Sequence, residues 1–244
     1  MSRYKLDIQY DGADYLGWQL QKNGRTVQGV LESAVKKISN QKDRIKIYGA
    51  GRTDTGVHAW AQVAHMDFNS NLEVQDIQNA LNANLPTDCR VIDIMQVENN
   101  FHSRFDAKKR YYRYQCYLGN SLLYRNQCWM LPKLEMKCLN QLSEYLIGTH
   151  DFLSFCKYRE ELKNTVCEIF ESQWSFENNI CTFKISANRF LHHMIRYLVG
   201  TMVAVCDQRF SEFDFQTLLD NPRKNVQIFK APPQGLILEK ILYA

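Results

Sequence analysis

Hydrophobic and polar residues alternate in several short stretches of this chain, a pattern typical of half-buried strands. Tyr4, Leu6, Ile8 and Tyr10 alternate with polar or charged residues and predict the first strand. Further strands are predicted at residues 44–48, 62–68, 91–97, 111–117, 169–176, 181–185 and 235–242. Asn178-Asn179 lies between two of these strands and suits a hairpin turn.

Apolar residues at helical spacing separate the strands. After Thr26, which is suited to N-capping, they recur every three or four residues as far as Ile38. Further helices are predicted from Ile77 to Leu85, at 132–145 and 190–206, and after Ser211. Because strands and helices are mixed with hairpins, the sequence predicts an α+β fold with a largely antiparallel sheet.

The composition is that of a globular protein with one large or two modest domains. The chain has 244 residues, of which 45% are hydrophobic and 23% charged. The longest strongly apolar stretch, 197–206, is far shorter than the ~20 residues of a membrane span, so no membrane association is expected. The eight cysteines contain no C-x-x-C pair, so we expect no metal site, reduced thiols and a cytoplasmic location.

Charge is informative locally, because the net charge is only +4. Residues 101–125 contain six Lys or Arg against one acid, interleaved with seven aromatic residues. This combination suits a phosphate backbone and stacked bases, and so predicts RNA binding. The alternative is a solvated basic strand with an aromatic core face.

The run from Gly49 to His58 has the most distinctive local chemistry. Its three glycines favour tight backbone and close ligand approach, and Asp54 follows Arg52 by two residues. A carboxylate beside a guanidinium should stay ionised through a lowered pKa and act as nucleophile or electrostatic stabiliser. A phosphate loop is excluded, since Val57-His58 replaces the required Lys and Ser/Thr. The alternative is a glycine-rich turn in which Asp54 bonds its own backbone.

The same run, read as G-R-T-D-x-G-V-H, resembles the signature of the tRNA pseudouridine synthase A family. Other blocks resemble the family in the same order along nearly the whole chain: Tyr10-Asp11-Gly12, Gly17-Trp18-Gln19, Thr26-Val27-Gln28, Asn82-Ala83-Asn84-Leu85-Pro86, Phe101-His102-Ser103-Arg104-Phe105, Arg113-Tyr114, Phe190 to Arg196, Ala231-Pro232-Pro233 and Gly235-Leu236. The resemblance implies the pseudouridine synthase fold, with two similar α/β halves (1–105 and 106–244) around an extended sheet with a central cleft.

The resemblance also implies a function. The expected enzyme converts uridine to pseudouridine at positions 38–40 of the tRNA anticodon stem-loop, as a homodimer and without metal, nucleotide or other cofactor. Two alternatives stay open, an RNA-binding or RNA-folding module without catalysis and the same isomerase acting on another RNA.

Four site residues are carried over from the family. Asp54 maps onto the essential aspartate, although its point of attack or deprotonation stays open, and Asp11 and Asp14 are the alternative acids. Arg52 is expected to grip a phosphate or help extrude the target nucleotide. Tyr112 is expected to stack on the flipped uracil and, through its hydroxyl, to take part in C5 deprotonation.

Arg196 interrupts an apolar helix, with Gly200 one turn later. The resemblance implies that Arg196 pairs with Asp54, and the alternative places it on a solvent-facing stripe. Thr55, Cys167 and Tyr197 depart from the family pattern, and these departures bear on RNA selection more than on the reaction.

Overall fold

The computed structural model describes residues 1–39, 43–160 and 162–243. Within them lie ten strands and five α-helices, which confirms the predicted α+β class. The strands are β1 (Ser2–Tyr10), β2 (Ile47–Gly49), β3 (His58–Phe68), β4 (Cys89–Val97), β5 (Ala107–Leu118), β6 (Trp129–Leu131), β7 (Gly148–Asp151), β8 (Val166–Glu177), β9 (Ile180–Ala187) and β10 (Leu236–Tyr243). The helices are α1 (Val27–Ile38), α2 (Val74–Asn84), α3 (Met136–Glu144), α4 (Met194–Cys206) and α5 (Glu212–Asp220).

The chain forms two compact units. Unit 1 comprises Met1–Lys108 together with the chain from Ile237 onward. Its strands follow the order β4-β1-β3-β10, with β2 also paired to β3, and only the β3–β10 pairing is parallel. Helices α1 and α2 contact each other, and their buried side chains include Leu31 and Leu81. The apolar residues whose helical spacing predicted α1 and α2 therefore include the side chains that these helices bury.

Unit 2 comprises Lys109–Leu236. Its strands follow the order β5-β9-β8-β7, all antiparallel, and β6 pairs in parallel with β5. The predicted β8–β9 hairpin is confirmed, with Asn178 and Asn179 at φ 50° and 64°. This left-handed pair matches the twist of the flanking strands. Helix α3 packs on β8 and α4.

Most predicted elements are confirmed, with differences at their ends. Thr26 caps α1 by accepting a hydrogen bond from Gly29 N, and Ser211 caps α5 by accepting one from Asp214 N. Strand β3 begins four residues earlier than predicted. Helix α4 begins at Met194 instead of residue 190, because His193 adopts a left-handed φ of 65° that no helix can continue through. Strands β6 and β7 are too short for periodicity to reveal.

One expectation about the cysteines is wrong. Cys138 of α3 and Cys206 of α4 form a disulfide, so not all the thiols are reduced. The remaining six cysteines are free and buried. Burial raises the pKa of Cys167 to about 12, so this thiol stays protonated at neutral pH.

No helix in the described parts of the chain is both long and apolar enough to cross a membrane. The division into halves at residues 1–105 and 106–244 stays a prediction. Strand β10 lies within the second predicted half, yet it pairs with β3 of unit 1, at Ile237 opposite His58.

Candidate active site

Residues 50–57 form a loop between β2 and β3, here termed the Asp54 loop. Asp54 is half-buried on this loop, whereas Arg52 is exposed. The loop lies against residues 11–26, here termed the bracing loop. Trp18 N donates to Thr53 O at 3.1 Å, and Gly56 N donates to Tyr15 O at 3.3 Å. Backbone hydrogen bonds on both sides of Asp54 therefore fix its position.

Side chains secure the same loop from strands β1 and β3. The buried Tyr10 hydroxyl lies 2.8 Å from Thr53 Oγ1, immediately before Asp54. Gln62 Nε2 donates to Gly51 O at 3.0 Å. Both side chains are buried, and a buried polar group is retained where it forms a specific hydrogen bond.

His58 closes the downstream end of the Asp54 loop. Its ring is buried, and Nδ1 accepts a hydrogen bond from Gly12 N at 3.0 Å. This contact connects β3 to the bracing loop. Tyr10, His58 and Gln62 were not predicted as positioning residues, although polar side chains at strand positions that face a core are a usable signal.

Glycine allows the two loops to approach. A Cβ added to Gly17, which has φ +85°, would lie 2.6 Å from Thr53 O and 3.0 Å from the carbonyl carbon of Asp54. A Cβ on Gly12 would overlap the backbone of Val57. In contrast, a Cβ on Gly51 would meet nothing within 4 Å. The close backbone packing therefore depends on the bracing loop, and the space beside Gly51 is open.

A buried glutamine at the start of α1 holds the end of the bracing loop. Gln28 Oε1 accepts from Leu20 N at 2.9 Å, and Gln28 Nε2 donates to Ile47 O at 3.1 Å. Its backbone N donates to Trp18 O at 3.0 Å. One side chain thus connects helix α1, strand β2 and the loop, which explains two of the sequence blocks, at 17–19 and 26–28.

An ion pair fixes the middle of the bracing loop. Arg25 donates two hydrogen bonds to Asp88, at 2.6 and 2.7 Å, and Tyr15 Oη donates to the same carboxylate at 2.7 Å. The guanidinium lowers the pKa of Asp88 and keeps it ionised. Asp11, one alternative acid, accepts from Ala13 N at 3.0 Å within its own turn.

Unit 2 contains Arg196, on the first turns of α4. Its side chain is only 7% exposed, so the alternative of a solvent-facing stripe is wrong. Arg196 Nε donates to Ala231 O at 2.9 Å, and Ala231 N donates to Arg196 O at 2.9 Å. A Cβ on Gly200 would overlap the backbone of Phe229, so this glycine permits the backbone of residues 229–231 to pack on α4.

Tyr112 lies on β5 opposite Ile185 of β9 and is 9% exposed. Its ring makes an edge-to-face contact with Phe190 at 5.3 Å, a geometry that restrains the ring. Tyr114, two residues on, is fully buried and donates to Pro232 O at 2.8 Å. Tyr114 is therefore a structural tyrosine.

The four predicted site residues fall into two pairs. Arg52 and Asp54 share the Asp54 loop of unit 1, whereas Tyr112 and Arg196 belong to unit 2. The Arg196–Asp54 pair would link the units and stays a prediction. Among the departures from the family pattern, Thr55 is exposed and Cys167 is fully buried. Thr55 is therefore the better placed of these two to contact RNA.

Comparison with known proteins gives the family. The family described as tRNA pseudouridine synthase matches residues 8–106 and 142–244. Proteins named tRNA pseudouridine synthase A are 37% identical in Exiguobacterium sibiricum, over 100% of this chain and 97% of the relative, and 40% identical in Chlorobium limicola, over 100% of both. A solved structure titled "Crystal Structure of a Cbf5-Nop10-Gar1 Complex" aligns at a TM-score of 0.42 and 10% identity. The alignment covers 97% of this chain and 49% of that one, and the similarity is too low to support any inference.

The α+β fold and the matched sequence place this chain among the pseudouridine synthases, which are isomerases. Within that class it belongs to the tRNA pseudouridine synthase family, and the resemblance drawn from its motifs is confirmed.

Proposed function

We propose that this enzyme isomerises uridine to pseudouridine at positions 38–40 of the tRNA anticodon stem-loop, with Asp54 as the essential carboxylate. The observation that carries the proposal is the Asp54 loop. Hydrogen bonds to its neighbours at 53 and 56 hold the half-buried acid, while Arg52 beside it stays exposed. An acid positioned in this way costs little reorganisation when it reacts.

The reaction breaks the bond from ribose C1′ to uracil N1, rotates the base and rejoins it through C5. The N1 position gains the proton that C5 loses, so atoms and electrons balance without an oxidant, reductant or added group. The required groups are a carboxylate near C1′, a surface that retains the free base and an acceptor for the C5 proton. In this proposal no cofactor takes part.

Each residue has a separate role in the proposal. Asp54 acts at the sugar–base bond, and Arg196 pairs with it and holds it in orientation. Tyr112 stacks on the extruded uracil, which is worth about 1–3 kcal/mol for a base on an aromatic ring. Its hydroxyl assists removal of the C5 proton. Arg52, exposed beside the acid, grips the phosphate of the target nucleotide or stabilises its extruded form.

The proposal extends to assembly and location. The enzyme acts as a homodimer in which two copies share one tRNA, and it works in the cytoplasm. The halves at residues 1–105 and 106–244 are the two domains of the proposed enzyme. A binding module without catalysis is the competing function, and the full set of Arg52, Asp54, Tyr112 and Arg196 disfavours it.

The test is Asp54→Asn, assayed on unmodified tRNA with chemical mapping of pseudouridine. An amide is a poor nucleophile and proton acceptor, so conversion should fall below detection while tRNA affinity and thermal unfolding stay near wild type. Asp14→Asn, the same charge change at an exposed acid of the bracing loop, is the matched control and should retain activity.

Turnover by Asp54→Asn within a few-fold of wild type would remove Asp54 from the mechanism. Wild-type enzyme that binds tRNA without forming pseudouridine would favour the binding module. Pseudouridine at another position or in another RNA would keep the chemistry and overturn the proposed substrate.

A further inference from the structure

Residues 101–106 of unit 1 form a tight turn, here termed the Phe105 turn, which exposes the ring of Phe105 to solvent. Phe105 is 74% exposed. Neighbouring elements fix the turn: Arg3 Nη1 donates to Phe101 O at 2.8 Å, and Tyr243 Oη donates to Ser103 O at 2.6 Å. An exposed phenyl ring on a fixed turn differs from one on a mobile loop, because little conformational entropy is lost when it binds.

Bonds within the turn restrain it further. His102 N donates to Asp106 Oδ2 at 2.7 Å, and Asp106 N donates to His102 O at 3.1 Å. Arg104 N donates to His102 Nδ1 at 3.1 Å. Asp106 is the one acid of residues 101–106, and its carboxylate already receives a backbone N–H. The turn therefore exposes Phe105 and Arg104, while its single carboxylate is already hydrogen-bonded within the turn.

Phe105 also ends a continuous series of ring contacts. Its centroid lies 4.3 Å from that of His102, which lies 4.6 Å from His65, which stacks on Tyr48 at 5.0 Å. Tyr48 is 46% exposed, so both ends of the series reach the surface. The inner rings support Phe105 from below and leave most of its surface available.

Cations accompany the exposed ring. The Arg104 guanidinium lies 5.7 Å from the Phe105 ring centroid, and both Arg104 and Lys108 are exposed. Of the seven aromatic residues that led us to predict RNA binding at 101–125, Phe105 is the most exposed, whereas Tyr112 and Tyr114 are buried. An exposed apolar ring beside a guanidinium suits a nucleobase next to its phosphate.

We propose that the Phe105 turn is a stacking platform for an unpaired base of the RNA substrate, with Arg104 and Lys108 on the adjacent phosphates. The inference rests on the proposed function, and assigns RNA contact to residues outside the Asp54 loop. An apolar protein partner is disfavoured because it would remove the exposed charges of Arg104 and Lys108 from water.

The experiment compares Phe105→Ala with Phe213→Ala. Phe213 of α5 is 75% exposed and therefore matches Phe105 in exposure. Its neighbours Glu212 and Asp214 are acidic, whereas Phe105 follows the basic Arg104. Filter binding of unmodified tRNA at fixed salt should give a Kd about 5- to 100-fold higher for Phe105→Ala. Phe213→Ala should bind as wild type. The kcat at saturating tRNA should be unchanged for both variants, so the effect falls on KM.

Two further variants separate stacking from general apolar contact. Phe105→Trp should keep wild-type affinity, whereas Phe105→Leu, which is apolar without a ring, should weaken binding nearly as much as alanine. If Phe105→Ala bound tRNA with wild-type affinity, the proposal that the Phe105 turn contacts RNA would be wrong. If Phe105→Leu did so, the contact would be apolar in general and stacking would be ruled out. Thermal unfolding of each variant shows that the turn has not collapsed. Absence of pseudouridine formation by the wild-type enzyme would instead refute the proposed function.

Discussion

The loop that carries Asp54 and the helix that carries Arg196 hold their charged groups by different interactions. Asp54 is placed by backbone hydrogen bonds from Trp18 and Gly56 between two loops that only glycine allows to approach. Arg196 is placed by burial in α4 and by a hydrogen bond from its Nε to Ala231 O. Backbone hydrogen bonds therefore fix the main chain that carries Asp54, whereas a bond from the side chain itself helps to fix Arg196.

This difference determines which substitutions each region tolerates. Around Asp54 the sensitive positions are glycines of the bracing loop, since an added methyl group would displace backbone. Around Arg196 the sensitive position is the residue itself, because its charge and its Nε donor cannot be supplied by the helix. Variants that separate the two mechanisms test the comparison directly.

The largest effect is expected at Arg196. Arg196→Ala removes a buried guanidinium proposed to orient the catalytic acid, so single-turnover conversion of tRNA should slow about 100- to 1000-fold. Arg196→Lys keeps the charge without the Nε donor to Ala231 O, so it should recover activity only in part. Tyr112→Phe keeps the ring and its contact with Phe190 but loses the hydroxyl proposed to assist C5 deprotonation, so it should bind tRNA as wild type does and still fail to complete the conversion. Equal rates for wild type and Arg196→Ala would contradict the role given to this side chain.

Gly17→Ala should slow conversion about 100-fold, because it displaces the Asp54 backbone by a fraction of an ångström or more. Its Cβ would lie 2.6 Å from Thr53 O at a φ of +85°, and the free energy of unfolding should fall by about 3 kcal/mol. Urea unfolding and single-turnover kinetics measure both effects.

Two glycines are controls for this prediction. Gly119 has a φ of +106°, but its added Cβ would make only an ordinary contact with Tyr117 Cε1 at 3.8 Å, so Gly119→Ala should cost about 1 kcal/mol of stability and no activity. Gly51→Ala, on the Asp54 loop itself, meets nothing within 4 Å and should be close to neutral for stability. If Gly119→Ala slowed the reaction as much as Gly17→Ala, close approach of the loops would not be the cause.

The smallest effect concerns acid pH and unit 1. Burial, together with the charge on His102, lowers the pKa of His65 to about 4. The unfolded chain takes up this proton near pH 6.5, so native stability is complete above that pH and decreases as pH falls toward 4. At pH 4.5 the loss should be about 2–3 kcal/mol.

His65→Asn removes this titration. Urea unfolding at pH 7.0 and 4.5 should show a smaller loss of stability for His65→Asn than for wild type. An identical loss in both proteins would assign the acid sensitivity to other groups.

Local patterns in the sequence predicted the elements that local interactions determine. The caps at Thr26 and Ser211 and the Asn178-Asn179 hairpin all act within four residues, and the structure confirms them. The earlier start of β3 at His58 depends on parallel pairing with Ile237 of β10, far along the chain, which periodicity cannot show.

The same limit applies to the candidate site. Glycine spacing and an adjacent arginine pointed to Asp54 because both lie within one short run. The docking of Ala231 on Arg196 joins distant segments, as does the Cys138–Cys206 disulfide. The exposure of Phe105 was likewise invisible, because aromatic residues of one stretch divide between core and surface only after the turn has formed.

The parallel pairing of β10 with β3 has a consequence for biosynthesis. Ile237 pairs with His58, the residue that closes the Asp54 loop, and all of unit 2 lies between them in the chain. Because a ribosome releases residues in order, unit 1 stays without its last strand until unit 2 has been synthesised. Nascent chains arrested before residue 237 should therefore lack the strand that pairs with His58 at the end of the Asp54 loop, and the proposed tRNA isomerisation would begin only after translation of this segment.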